Sequence, residues 1–218
     1  MLLFQLFQNN PALVIPWLFA LLIAITIHEF SHGYVAYKLG DDTAHSMGRL
    51  SLNPLVHLDV MGSLMLLLVG FGWAKPVPIN IFKVGKGDLG KFLVSVAGIA
   101  SNILMAVFAI FFLKLALFFG VGELNFLMKF LAFLVYINLA LFVFNLLPIA
   151  PLDGYRMFEA FAPKAFERFA PFMEQWGFFI LIALVFLTNV VGILIYYFIN
   201  IFSVIFNLPI IYLAFGGL

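Results

Sequence analysis

Five stretches without a single Lys, Arg, Asp or Glu divide this chain and limit what it can fold into: Met1–Ile27, Val60–Ala74, Phe92–Leu113, Phe130–Leu152 and Gln175–Leu218. A helix needs about 20 mainly apolar residues to cross the ~30 Å hydrocarbon core of a bilayer. The runs at 92–113 and 130–152 meet that length, and so does the first, entered after Pro11 and continuing to about Tyr37. The C-terminal run is too long for one helix. It predicts either a tilted span followed by an interfacial helix after Asn207-Leu208-Pro209, or two spans. The run at 60–74 is short for a crossing, contains Gly62, Gly70 and Gly72, and suits a re-entrant hairpin.

Composition agrees. Hydrophobic residues are 65% of the chain and charged residues 10%, against about 25% charged in soluble domains. The fold class expected is an all-α polytopic membrane protein, with about four to six transmembrane helices plus a short re-entrant hairpin near 60–74. Disorder, a disulfide-stapled module and a coiled coil are excluded by the same figures. A net charge of +1 offers no basic patch for nucleic acid. There is no cysteine, so any metal must be held by His, Asp or Glu. The first run lacks the basic start and small-residue cleavage site of a signal peptide and reads as a mature helix. No linker or repeat interrupts residues 1–218, which read as one integral-membrane domain with a core at about 20–160 and C-terminal helices at 175–218.

If 60–74 dips in and returns, Lys38, Arg49, Lys75, Lys83, Lys86, Lys91, Arg156, Lys164 and Arg168 share one side. Lys114 and Lys129 lie near the other face, where long side chains snorkel outward. The positive-inside rule makes the first side cytoplasmic and puts the N-terminus on the opposite side of a cell (cytoplasmic, inner) membrane. The lysines of 75–91 face anionic headgroups. Residues 155–174 mix charges with phenylalanines and predict an amphipathic interfacial helix.

Ionisable groups inside a bilayer cost about 2.5–3.5 kcal/mol each on insertion scales. Three stand together in Ile27-His28-Glu29-Phe30-Ser31-His32. Positions i and i+4 share a helix face, so both imidazoles can point at one ion, and Glu29 can reach a water on that ion. This H-E-x-x-H pattern binds zinc through its two histidines and uses the glutamate as general base. Zinc needs at least a third protein ligand. Asp153 is the candidate, just past the helix-breaking Pro148 and Pro151; its plainer reading is a helix N-cap. Topology favours the ligand, because the helices carrying His28–His32 and ending at 152 both run inward and finish at a similar depth. Asn102 and Asn145 are amides in spanning helices that either join helices or bind substrate and oxyanion. Asn138 is given only the helix-joining part, and His57 and Asp59 only the fixing of the hairpin's start.

These residues resemble the site-2 protease family of intramembrane zinc metalloproteases, in a minimal form without PDZ or CBS modules. The resemblance rests on His28-Glu29-Phe30-Ser31-His32; on Gly48-Arg49 and Asn53-Pro54 with His57, Asp59 and Gly62; on Phe71 to Pro78; on Ala97-Gly98 with Asn102; and on Asn145 to Gly154. It implies one Zn²⁺ held by His28, His32 and Asp153, Glu29 as catalytic base, and a membrane-spanning protein as substrate. It tips Asn102 and Asn145 toward substrate or oxyanion contacts, and Gly62, Gly70 and Gly72 toward a substrate-handling hairpin. Ile99 and Tyr155 depart from the family's pattern, where proline and a second glycine are common. A transporter or ion pathway with a bound metal and an inactive scaffold of the same fold are the competing readings. No inverted repeat supports the first, and the intact base argues against the second.

Overall fold

The computed structural model describes Gln8 and residues 10–216; the rest of the first charge-free run and the last two residues lie outside the described residues. Helix α1 spans Val14–Lys38, after a 3₁₀ turn at Pro11–Leu13. Proline suits a first turn, where its missing N–H would have no partner. Helix α3 spans Gly87–Phe118, and α4 spans Phe126–Asn145, where the Asn125 side chain accepts from Leu127 N–H. These three pack mutually, with Ala20 and Ala24 of α1, Ala106 and Ala109 of α3 and Ala132 of α4 fully buried. In lipid the apolar side chains gain nothing by avoiding water, so close backbone approach through small residues holds such helices together.

Between α1 and α3 lies α2, Val60–Val69. Ten residues make about 15 Å of helix, half of a bilayer core. The segment leaves and returns at one place: Leu58 bridges Ala74 antiparallel, and Lys75 N–H donates to His57 C=O at 2.8 Å. The excursion at 60–74 is therefore a helix with an extended return, not a pair of strands. Only a helix satisfies its own backbone in an apolar surround. Asp59 caps it, accepting from Gly62 N–H at 2.8 Å, and Gly70 ends it at φ +77°. The return packs so tightly on the helix that a side chain at Gly62 would strike the Trp73 carbonyl, and one at Gly72 the Gly62 carbonyl.

The single amphipathic helix expected at 155–174 is two pieces, α5 (Asp153–Phe161) and the start of α6 (Pro163–Phe186). Pro163 causes the split, since the residue before proline is pushed out of helical conformation. The run 175–218 becomes the apolar half of α6, then α7 (Val190–Phe206) and α8 (Ile210–Phe215). The α6–α7 break has no glycine or proline. Thr188 Oγ instead donates back to Leu184 C=O at 2.7 Å.

Four helices, Pro11–Lys38, Gly87–Phe118, Phe126–Asn145 and Pro163–Phe186, are long and apolar enough to cross a membrane, with Val60–Val69 and Val190–Phe206 as shorter apolar helices. No strand occurs among the described residues. This is an all-α polytopic membrane protein. Lys129 departs from the expectation of an outward-snorkelling side chain: it is buried, and its ammonium donates to Leu213 C=O of α8 at 2.9 Å. On the loop side, a hydrogen bond and charge from Lys83 hold the Asp42 carboxyl below its usual range.

Candidate metal centre

One helical turn separates His28 from His32 on the buried side of α1, and both imidazoles face α3. Across α3, His32 Nδ1–H donates to Val94 C=O at 2.7 Å, a partner that can only accept. His28 Nδ1 lies 2.7 Å from Asn102 Oδ1. Both Nε2 lone pairs are thereby turned to one point, where they stand 3.1 Å apart.

The third group arrives from α5. Asp153 is its first residue, and the N-cap position belongs to Leu152. The Asp153 carboxylate is free to turn inward, and Oδ2 lies 3.1 Å from His32 Nε2 and 3.2 Å from His28 Nε2. Zinc bonded at ~2.0–2.1 Å in tetrahedral geometry holds its ligand atoms ~3.3 Å apart. The triangle of two imidazole nitrogens and one carboxylate oxygen has that size, and it is the group among the described residues whose atoms gather closely enough to hold an ion. Two lone pairs and an anion converging without a proton between the rings would repel one another. A divalent cation satisfies all three, so the donor set fits the metal.

Glu29, half-buried, projects from the same turn into a cleft of about 460 Å³ that it lines with His32, Asp153, Val77, Val94 and Arg156. One of its oxygens accepts from Val77 N–H at 2.7 Å. The extended Lys75–Val77 stretch is itself gripped from outside, where the Arg49 guanidinium donates to the carbonyls of Lys75 (2.9 Å) and Pro76 (3.0 Å).

The other anticipated residues take different places. Asn102 is fully buried, with its oxygen toward His28 and its nitrogen donating to Asn138 at 2.9 Å, so it supports a ring in place of facing the cleft. Asn145 donates to Leu141 C=O of its own helix at 3.1 Å. Gly62 and Gly72 are packing contacts and Gly70 a helix terminator. His57 is buried and donates from Nε2 to Ser51 C=O at 2.8 Å, away from the histidine pair. Reading the sequence missed Val77 and Val94, which act through backbone atoms that leave no mark in a sequence. Asn138, an amide in an apolar helix, joins helices as expected through its bond to Asn102.

The chain is similar in sequence to known proteins. The family model described as Peptidase family M50 matches residues 121–188. "Putative zinc metalloprotease YwhC" of Bacillus subtilis is 42% identical over 183 residues, which cover 82% of this chain and 84% of that protein. "Putative zinc metalloprotease Rip2" of Mycolicibacterium smegmatis is 32% identical over 168 residues, 75% of this chain and 63% of that one. Its namesake in Mycobacterium tuberculosis is 31% identical over 155 residues, 69% and 59%. The chain thus spans less than two thirds of either Rip2. No solved structure matches it significantly. A polytopic helical chain with an H-E-x-x-H turn and an aspartate brought to it defines a membrane metalloendopeptidase. The chain belongs to peptidase family M50.

Proposed function

We propose that this protein is an intramembrane zinc protease that cuts a membrane-spanning protein near the cytoplasmic side of the bilayer. One Zn²⁺ per chain is held by His28, His32 and Asp153. The observation that carries the reading is the triangle of ligand atoms, 3.1–3.2 Å on each side, with each imidazole hydrogen-bonded through its far nitrogen. The relatives' printed names add zinc and proteolysis. The concentration of basic residues in the loops on the α2 side makes that side cytoplasmic. Residues 1–218 work as one membrane domain.

Zinc held by His28, His32 and Asp153 would supply Lewis-acid chemistry, polarising the scissile carbonyl and acidifying a water. The Glu29 carboxylate would accept the attacking water's proton at its free oxygen and release it to the leaving nitrogen. The Val77 N–H fixes one Glu29 oxygen and leaves the other for the proton. A helical substrate must unwind before its carbonyl is accessible. The apolar cleft wall formed by Val77 and Val94 receives the unwound segment, while Arg156 lies at its charged part.

Elemental analysis of the purified protein in detergent tests this. Wild type and Glu29→Gln are expected to carry close to one zinc per chain, and Asp153→Ala much less. Wild type without zinc after replenishment would sink the proposal. Equal zinc in Asp153→Ala would remove Asp153 from the ligand set.

A further inference from the structure

Asn138 lies on α4, fully buried; it does not line the cleft, and its side chain hydrogen-bonds to none of the three ligand side chains. The direction of its amide is nevertheless determined. Its Nδ2 donates to Leu134 C=O at 2.8 Å, one turn back, and a carbonyl can only accept. Its Oδ1 must therefore face the other way, where Asn102 Nδ2 donates to it at 2.9 Å. That turns Asn102 Oδ1 toward His28 Nδ1 at 2.7 Å, and an amide oxygen is again only an acceptor. The proton on His28 consequently sits on Nδ1, and the Nε2 lone pair is the one presented to the ion site. Three donors point in sequence from α1 through α3 to a backbone carbonyl of α4. All three residues are at most 7% exposed, so no water substitutes for a missing member.

We infer that Asn138 is a positioning residue for the metal: through Asn102 it sets the tautomer and orientation of His28, and so controls zinc affinity from two hydrogen bonds away. His32 needs no such relay, because Val94 C=O cannot reverse its polarity. An amide can. Without Asn138, the Asn102 side chain is free to rotate and offer Nδ2 to His28, which would place the proton on Nε2 and block that ligand. Outer partners of metal-binding histidines typically carry 10–100-fold in metal affinity.

This inference rests on the zinc reading above, and the experiment separates the two. Zinc affinity is measured by chelator competition in detergent for wild type, Asn138→Leu and Asn138→Asp. Leucine keeps the branching and heavy-atom count of asparagine without its hydrogen-bonding groups and suits an apolar bundle, so a packing role predicts unchanged affinity. The relay predicts at least a tenfold loss for Asn138→Leu and affinity within about threefold of wild type for Asn138→Asp, which keeps the acceptor facing Asn102. Asn138→Leu binding zinc as tightly as wild type would overturn the relay and leave the site intact. Absence of zinc from wild type would overturn the metal reading and the relay with it. Nitrogen-15 spectra of histidine-labelled, zinc-loaded wild type need no variant: His28 is expected with its proton on Nδ1, and a ring bound through Nδ1 would overturn the relay outright.

Discussion

Gly98 of α3 and His32 of α1 stand so close that a β-carbon at position 98 would collide with the His32 Nε2, the atom offered to the metal. The same β-carbon would lie 2.6 Å from His28 Cε1 and 2.8 Å from His28 Nε2. The α3 backbone therefore forms the back wall of the ligand site, and only a hydrogen fits there.

Gly98→Ala should consequently strip zinc without unfolding the helices. Close-packed interiors do not yield to an added methyl, so the imidazoles must move and the triangle opens. Zinc per chain and far-UV circular dichroism on the same sample check this. Full zinc occupancy in a normally helical Gly98→Ala would show that the rings have room the structure does not give them.

Val77 acts on Glu29 only through its N–H, which proline lacks. Val77→Pro is expected to keep its zinc and to lose about tenfold or more in turnover of a transmembrane model substrate. Glu29→Gln should lose 10²–10⁴-fold, the range for a removed general base. If Val77→Pro turned over at the wild-type rate, the bond to Glu29 would have no part in catalysis.

A methyl at Gly62 meets the Trp73 carbonyl, a backbone atom that cannot rotate away. Gly62→Ala should destabilise the packed α2 excursion by about 1–3 kcal/mol, the usual cost of overpacking. The expected signature is faster proteolytic nicking between Val69 and Lys75, with zinc retained. Unchanged nicking would mean that the helix and its return are not held together by this contact.

Lys129 buries an ammonium against a single carbonyl of α8. Burying an ion costs several kcal/mol after relaxation, whereas a hydrogen bond to a charged group returns about 1.5–3 kcal/mol. The burial term is the larger. Lys129→Met, similar in length and apolar, should raise the thermal midpoint in detergent, at about 2–4 °C per kcal/mol for a chain of this size. A lowered midpoint would show that the bond to Leu213 outweighs the burial.

Spacing carried the local part of this architecture. Charge-free runs located α1, α3 and α4, because a bilayer tolerates few ionised groups and helical length is set by its thickness. The i,i+4 placement of His28 and His32 followed from helical period alone, and Asp153 could be nominated because so few ionisable residues lie at membrane depth. Where the structure departs from sequence reading at Lys129, the cause is an interaction between distant segments, since nothing local says that it meets Leu213. The contacts that end α6 at Thr188 and press Gly62 onto its own return are closer in the chain, yet they depend on how the backbone packs.

The proposed ligand types, the proposed base and the need for a membrane were thus legible in the sequence itself, since they depend on residue chemistry and on periods along one helix. Only the tertiary structure decided that the three ligand atoms close to 3.1–3.2 Å, that Val94 and Asn102 hold the rings, and that Val77 holds Glu29. Those contacts join residues up to 125 positions apart, His28 to Asp153. Several run through backbone atoms common to every residue, so only the packing of α1, α3 and α5 could select them.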